Sequence, residues 1–224
     1  MKRFFFTILF VLALLPSLLA QTGKVFDDLS FQSKILDMDR KYAIYLPPDY
    51  DTSERSYPVL YLLHGSGDDQ SGWIQFGEVL HIADKAIGEG ISTAMIIVMP
   101  DADTGQRGYT NDVSGKWKYE DFFFEELIPY VENKYRIRKQ KRYRAVAGLS
   151  MGGGGTFYYA LHRPDLFSAA CPLSASVGPL NREDMNEYMK KRGMADASEE
   201  LKDMWYSTYS VLDMIHNMPE DQKK

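Results

Sequence analysis

A chain of 224 residues with a formal charge of −5 has room for one sizeable α/β domain and too few residues for two of ordinary size. The acid excess makes nucleic acid and anionic membrane surfaces poor partners. A single cysteine, Cys171, excludes an intrachain disulfide, and its place in an apolar run predicts a buried core residue.

Residues 1–20 read as a secretory leader. Lys2 and Arg3 form a positive n-region, Phe4 to Leu15 an apolar stretch, and small Ala20 closes a cleavage region before Gln21. The apolar run is short for a membrane span and has no successor. The mature chain is therefore expected to be exported, to the periplasm or beyond, with no membrane association once the leader is cut. Losing the leader removes two cations and no anion, which makes the remainder more acidic.

The single domain predicted over 21–224 begins with β-structure over 24–46. A strand at Ser33 to Leu36 and a turn at Asp37 to Asp39 precede alternating Tyr42, Ile44 and Leu46. Pro58 to His64 is a continuous apolar run bounded by proline and glycine, as in a strand buried on both faces. Met95 to Met99 is a second such strand, and helices are expected over Gly77–Gly88 and Tyr119–Tyr135. A strand from Tyr143 then runs into a helix, Phe167 to Ser174 forms the next strand, and short charged helices fill 181–218 as a cap-like segment. Strands alternating with helices imply a mainly parallel sheet covered on both faces.

The chemistry is concentrated at Gly148-Leu149-Ser150-Met151-Gly152, a G-x-S-x-G between a strand and a helix. The pattern alone arises by chance in about one chain in thirteen of this length, so its context carries the argument. A serine on so tight a turn projects above the sheet, and the helix N-terminus behind it favours developing negative charge. Upstream, His64-Gly65-Ser66-Gly67 ends a buried strand. Such a loop donates a backbone N–H to an oxyanion, and the residue after the nucleophile donates the other. Gly65, Ser66 and Met151 are the candidate donors, and His64 is expected to brace the loop. Trp73, Tyr109 and Trp117 lie in loops at the same end and are candidates to stack on a sugar or aryl group. Neither a metal nor another cofactor is expected. Asp101-Ala-Asp103-Thr-Gly105 misplaces the glycine of a calcium loop, and four scattered histidines lack zinc spacing.

Y-L-P-P-x-Y, P-V-L-Y-L-L-H-G, I-I-V-M-P, E-D-F-F-F-E-E-L-I-P-Y-V-E and A-G-L-S-M-G-G follow one another over 33–176. This succession resembles the esterase D/feruloyl esterase group of the α/β-hydrolases, whose members include acetylxylan and feruloyl esterases, with mycolyl transferases as relatives. The resemblance implies an α/β-hydrolase fold with Ser150 as nucleophile. It also implies hydrolysis of acetyl or feruloyl esters on plant-type polysaccharides. Acyl transfer would use the same residues. A polysaccharide-binding remnant, or an impaired fragment, is the alternative from another class.

One departure stands against these matches. The fold's order is serine, then acid, then histidine on later loops, yet only two histidines follow Ser150. His162 falls at the far end of the nucleophile helix, about 18 Å along at 1.5 Å per residue. His216, with Asp213 about one turn before it, sits on a short charged helix with no strand after it. The triad acid and base are therefore not identified in this chain, and the strands that would carry them are expected to lie past Lys224.

Overall fold

The computed structural model describes residues 21–102, 108–112 and 115–222; the leader, and Asp103 and Gly105 of the rejected calcium loop, lie outside them. Strand β1 (Lys24–Ser33) pairs antiparallel with β2 (Met38–Leu46). The turn occupies 34–37, earlier than the sequence suggests, because Glu126 reaches in from a distant helix. Its carboxylate accepts the backbone N–H groups of Lys34 (2.9 Å) and Ile35 (3.2 Å) and the Ser33 hydroxyl.

Strands β3 (Val59–Leu63) and β4 (Ile96–Pro100) are separated by helices α1 (Gly72–Gln75) and α2 (Val79–Gly88). Next come a helical turn α3 (Tyr119–Asp121), a π-helical segment (Phe122–Leu127) and α4 (Ile128–Lys134). Strand β5 (Arg144–Leu149), helix α5 (Met151–His162) and strand β6 (Ala169–Leu173) complete the sheet. Helices α6 (Met185–Lys191), α7 (Glu199–Tyr209) and α8 (Val211–Asn217) follow.

The six strands are ordered β1-β2-β4-β3-β5-β6, parallel from β4 to β6 and antiparallel at β1 and β2. Alternate residues divide between two cores. Tyr61, Leu63, Ile96, Val98 and Val146 pack with Phe122, Phe123 and Tyr159 on one face. Leu62, Ile97, Met99 and Ala147 pack with Val79 on the other. Burial on both faces is why these strands read as unbroken apolar runs.

Cys171 departs from expectation. It is exposed, because β6 hydrogen-bonds only to β5 and leaves Ala169, Ala170, Cys171 and Leu173 uncovered. No helix among the described residues is long and apolar enough to cross a membrane.

Candidate active site

The chain leaves β3 toward β4 on one side and leaves β5 toward β6 on the other. The order therefore reverses between β3 and β5, which opens a crevice beyond their carboxyl ends. His64-Gly65 and Gly148-Leu149-Ser150 both end there. Ser150 has φ 55° and ψ −109°, a strained backbone for a non-glycine residue. Its amide donates to Leu173 O (2.9 Å), and its carbonyl accepts from Ser176 N (2.8 Å) and Gly154 N (3.0 Å). Those bonds hold the turn rigid.

The flanking glycines are required by close approach. A Cβ on Gly148 would stand 2.4 Å from Gly152 O, and one on Gly152 would stand 2.4 Å from Leu63 O. No side chain fits such distances, so the sequence permits the elbow only with glycine at both places. Gly65 lies alongside, where an added Cβ would be 3.8 Å from Ser150 Cβ. Met151 is the first residue of the 12-residue α5, so its N–H has no partner within the helix.

His64 braces the loop as expected. Its Nε2 accepts from Ala102 N (2.9 Å) and its Nδ1 faces Gly65 O (2.8 Å). That pairing requires a neutral ring protonated at Nδ1. Tyr109 donates to the His64 carbonyl (3.2 Å).

A cavity of about 330 Å³ adjoins Ser66 and Met151, and its walls include Tyr109, Tyr158, Arg192 and Trp205. Of the three aromatic candidates, only Tyr109 reaches it. Trp73 turns to the opposite face of the sheet, where its indole donates to Leu63 O (3.1 Å) and its ring packs on the Leu62–Val79 cluster. Trp117 is half-buried against the larger core. The cavity's other wall comes from the 181–218 segment, whose Tyr188, Trp205 and Tyr209 the sequence reading passed over. The Trp205–Tyr209 spacing of one helical turn, which puts both rings on one face of α7, is the signal that could have found them.

His216 and Asp213 are not brought to Ser150. Asp213 and Met214 line a separate hollow with Leu161 and His162, at the far end of α5, and His216 is exposed. The last short helix packs on that end because Val211 joins the main core. His162 is anchored there too, between Glu120 and Thr208. His81 is exposed on α2. Among the described residues, no histidine nitrogen is bonded to the Ser150 hydroxyl.

Sheet order, strained serine and the adjoining glycine loop together define an α/β-hydrolase. The comparisons with known proteins agree: residues 33–223 match the Esterase family model, described as "Putative esterase", and the chain belongs to that family. It is 40% identical over 153 residues to Esterase Rv1288 of Mycobacterium tuberculosis (strain ATCC 25618 / H37Rv), covering 66% of this chain and 31% of that protein. It is 36% identical over 135 residues to the endo-1,4-beta-xylanase/feruloyl esterase of Xylanibacter ruminicola, covering 55% and 18%. The chain thus spans less than a third of the length of either curated relative. Among solved structures, a ferulic acid esterase superposes with a TM-score of 0.73 at 33% identity, over 90% of this chain and 74% of that one. A ferulic acid esterase from Anaeromyces mucronatus, in complex with ferulic acid, gives 0.60 at 28% identity, over 70% and 59%.

Proposed function

We propose that the protein is a serine carboxylesterase that cleaves acetyl or feruloyl esters of plant-type polysaccharides through an acyl-enzyme on Ser150. The observation that carries this reading is the backbone of Ser150, held at φ 55° on the rim beside the Gly65 loop. In this reading Ser150 Oγ attacks the ester carbonyl. The backbone N–H of Met151 and those of the Gly65–Ser66 loop receive the negative charge that develops on oxygen. The N-terminal end of α5 adds a favourable field. The relatives named as feruloyl esterases support the substrate class, and the leader-like residues 1–20 support export.

For proton transfer, no histidine among the described residues is hydrogen-bonded to Ser150. The ring of His64 is engaged instead by Ala102 N and Gly65 O. Loss of a triad base costs about 10⁴–10⁶ in turnover, so whatever accepts the Ser150 proton sets most of the rate.

Labelling tests the assignment without requiring fast turnover. Incubated with a fluorophosphonate at alkaline pH, where hydroxide substitutes for an imidazole base, the chain gains one adduct on the peptide containing Ser150. Ser150→Ala gains none. An adduct on any other residue, or one that survives the substitution, removes Ser150 from the role.

A further inference from the structure

The ion pairing of the 181–218 segment is uneven. Arg182, at its start, is neutralised twice: Nη2 lies 2.8 Å from Glu199 and Nε lies 2.5 Å from Asp203. Lys191 pairs with Glu187 at 2.7 Å, and Lys202 with Glu199 at 2.7 Å. Lys190 and Arg192 have no ion pair among the described residues, and of these two only Arg192 lines a cavity. Its guanidinium lies 4.6 Å from the Tyr188 ring centroid and 4.9 Å from that of Trp205, and it lines the cavity that begins at Ser66 and Met151. Stacking on two rings orients a guanidinium while leaving its in-plane N–H groups available. Arg192 is itself exposed, so an anion arriving from solvent can reach its guanidinium at the cavity.

The remaining walls fit an anion. Ser66, Thr110 and Ser176 supply small hydroxyl side chains. Burial, with the neighbouring Tyr188 and against the opposing charge of Arg192, pushes the Tyr158 phenol up to about 12, so it carries no negative charge near neutrality. Its oxygen accepts from Gly178 N (3.0 Å), which leaves its own proton to donate. Among the described residues, no carboxylate lines the cavity.

We propose that Arg192 is a specificity-determining residue that binds a carboxylate on the carbohydrate, so that the preferred substrate is an ester on a polysaccharide bearing uronic acid groups. This rests on the esterase reading above and extends it to the substrate. The planar fork of Arg192 matches a carboxylate through two parallel N–H···O bonds, and the rings of Tyr188 and Trp205 hold that fork before the ligand arrives.

Binding measured by calorimetry separates this inference from the chemistry of Ser150. The probes are a xylo-oligosaccharide carrying one uronic acid residue, a neutral xylo-oligosaccharide of equal length, and glucose 6-phosphate as a phosphate-bearing arm. The wild-type chain is expected to bind the uronate probe about tenfold or more tightly than the neutral one, with the preference shrinking as salt rises. Arg192→Met keeps an apolar stem against the rings and abolishes the preference, leaving neutral-sugar affinity in place. Arg192→Lys keeps the charge and loses the fork, so it retains part of the preference. Equal affinity for charged and neutral probes in the wild type, or a preference that survives in Arg192→Met, overturns the proposal. Tighter binding of the phosphate than of the uronate also overturns it. Fluorophosphonate labelling of Arg192→Met reports separately on Ser150, so the two readings can fail independently.

Discussion

At the scale of single residues, two histidines with different partners show how local contacts set the behaviour of a ring. His64 receives a backbone N–H on one nitrogen, whereas His162 faces acceptors on both. Its Nδ1 is 2.6 Å from Glu120 Oε1 and its Nε2 is 2.7 Å from the Thr208 carbonyl. With Glu120 ionised, both bonds need a ring that carries two protons. Burial works against that charge, but the Glu120 hydrogen bond and charge, with the Thr208 carbonyl, outweigh it and raise the pKa above its ordinary 6.5. A raised folded-state pKa stabilises the fold fully below the unfolded value and is lost as pH rises through the folded one. The difference in unfolding free energy between wild type and His162→Gln should therefore be largest below about pH 6.5 and narrow as pH rises through the raised folded-state value. Urea titrations across that range provide the check, and a difference independent of pH would mean the ring is neutral.

Among the elements, the helix before β5 shows how one residue reshapes a run. An amphipathic helix over 119–135 is legible from its spacing, but its first half is π-helical. Pro129 lacks an N–H, and its ring would strike the carbonyl four residues earlier, so the backbone widens upstream. Ile128 N consequently bonds to Phe123 O, five residues back. This winding still leaves Phe122, Phe123 and Leu127 facing the core. Farther along, Glu132 meets Arg144 of β5 through two bonds of 2.5 and 2.9 Å, both side chains being buried. Tyr61 adds a third contact to the same carboxylate at 3.4 Å. Glu132→Ala leaves a buried guanidinium uncompensated and should cost about 3–5 kcal/mol of stability. Replacing Glu132 and Arg144 together by apolar residues should cost much less. Chemical denaturation of the single and double variants distinguishes a paired charge from simple packing.

Over the whole molecule, the sheet has two edge strands of different character. At one end β1 alternates and is largely exposed, while at the other β6 is a short apolar edge with Leu149 and Leu173 each 42% exposed nearby. Uncovered apolar edges of this kind favour pairing with other chains. Cys171 reports directly on that edge. One thiol per chain should react with a disulfide reagent in the native state as readily as in denaturant, and a thiol protected until unfolding would show the edge to be covered.

What was written in the sequence is whatever depends on neighbours along the chain. Residue patterns located β3, β4 and β5. The paired glycines around Ser150 marked the elbow as a short local pattern, although the contact that demands glycine at 152 is with Leu63 O of the neighbouring strand. The His64 loop was legible for the same reason, as a short signal attached to a buried strand. Only the tertiary structure decided that Cys171 is exposed, since an edge strand and a central strand can share one apolar pattern. It alone turned Trp73 to the far face of the sheet and placed Asp213 and His216 at the distal end of α5. It also set Arg192, between Tyr188 and Trp205, in the wall of the cavity beside Met151. Each of those outcomes depends on contacts between residues far apart in the chain, which side-chain periodicity does not encode.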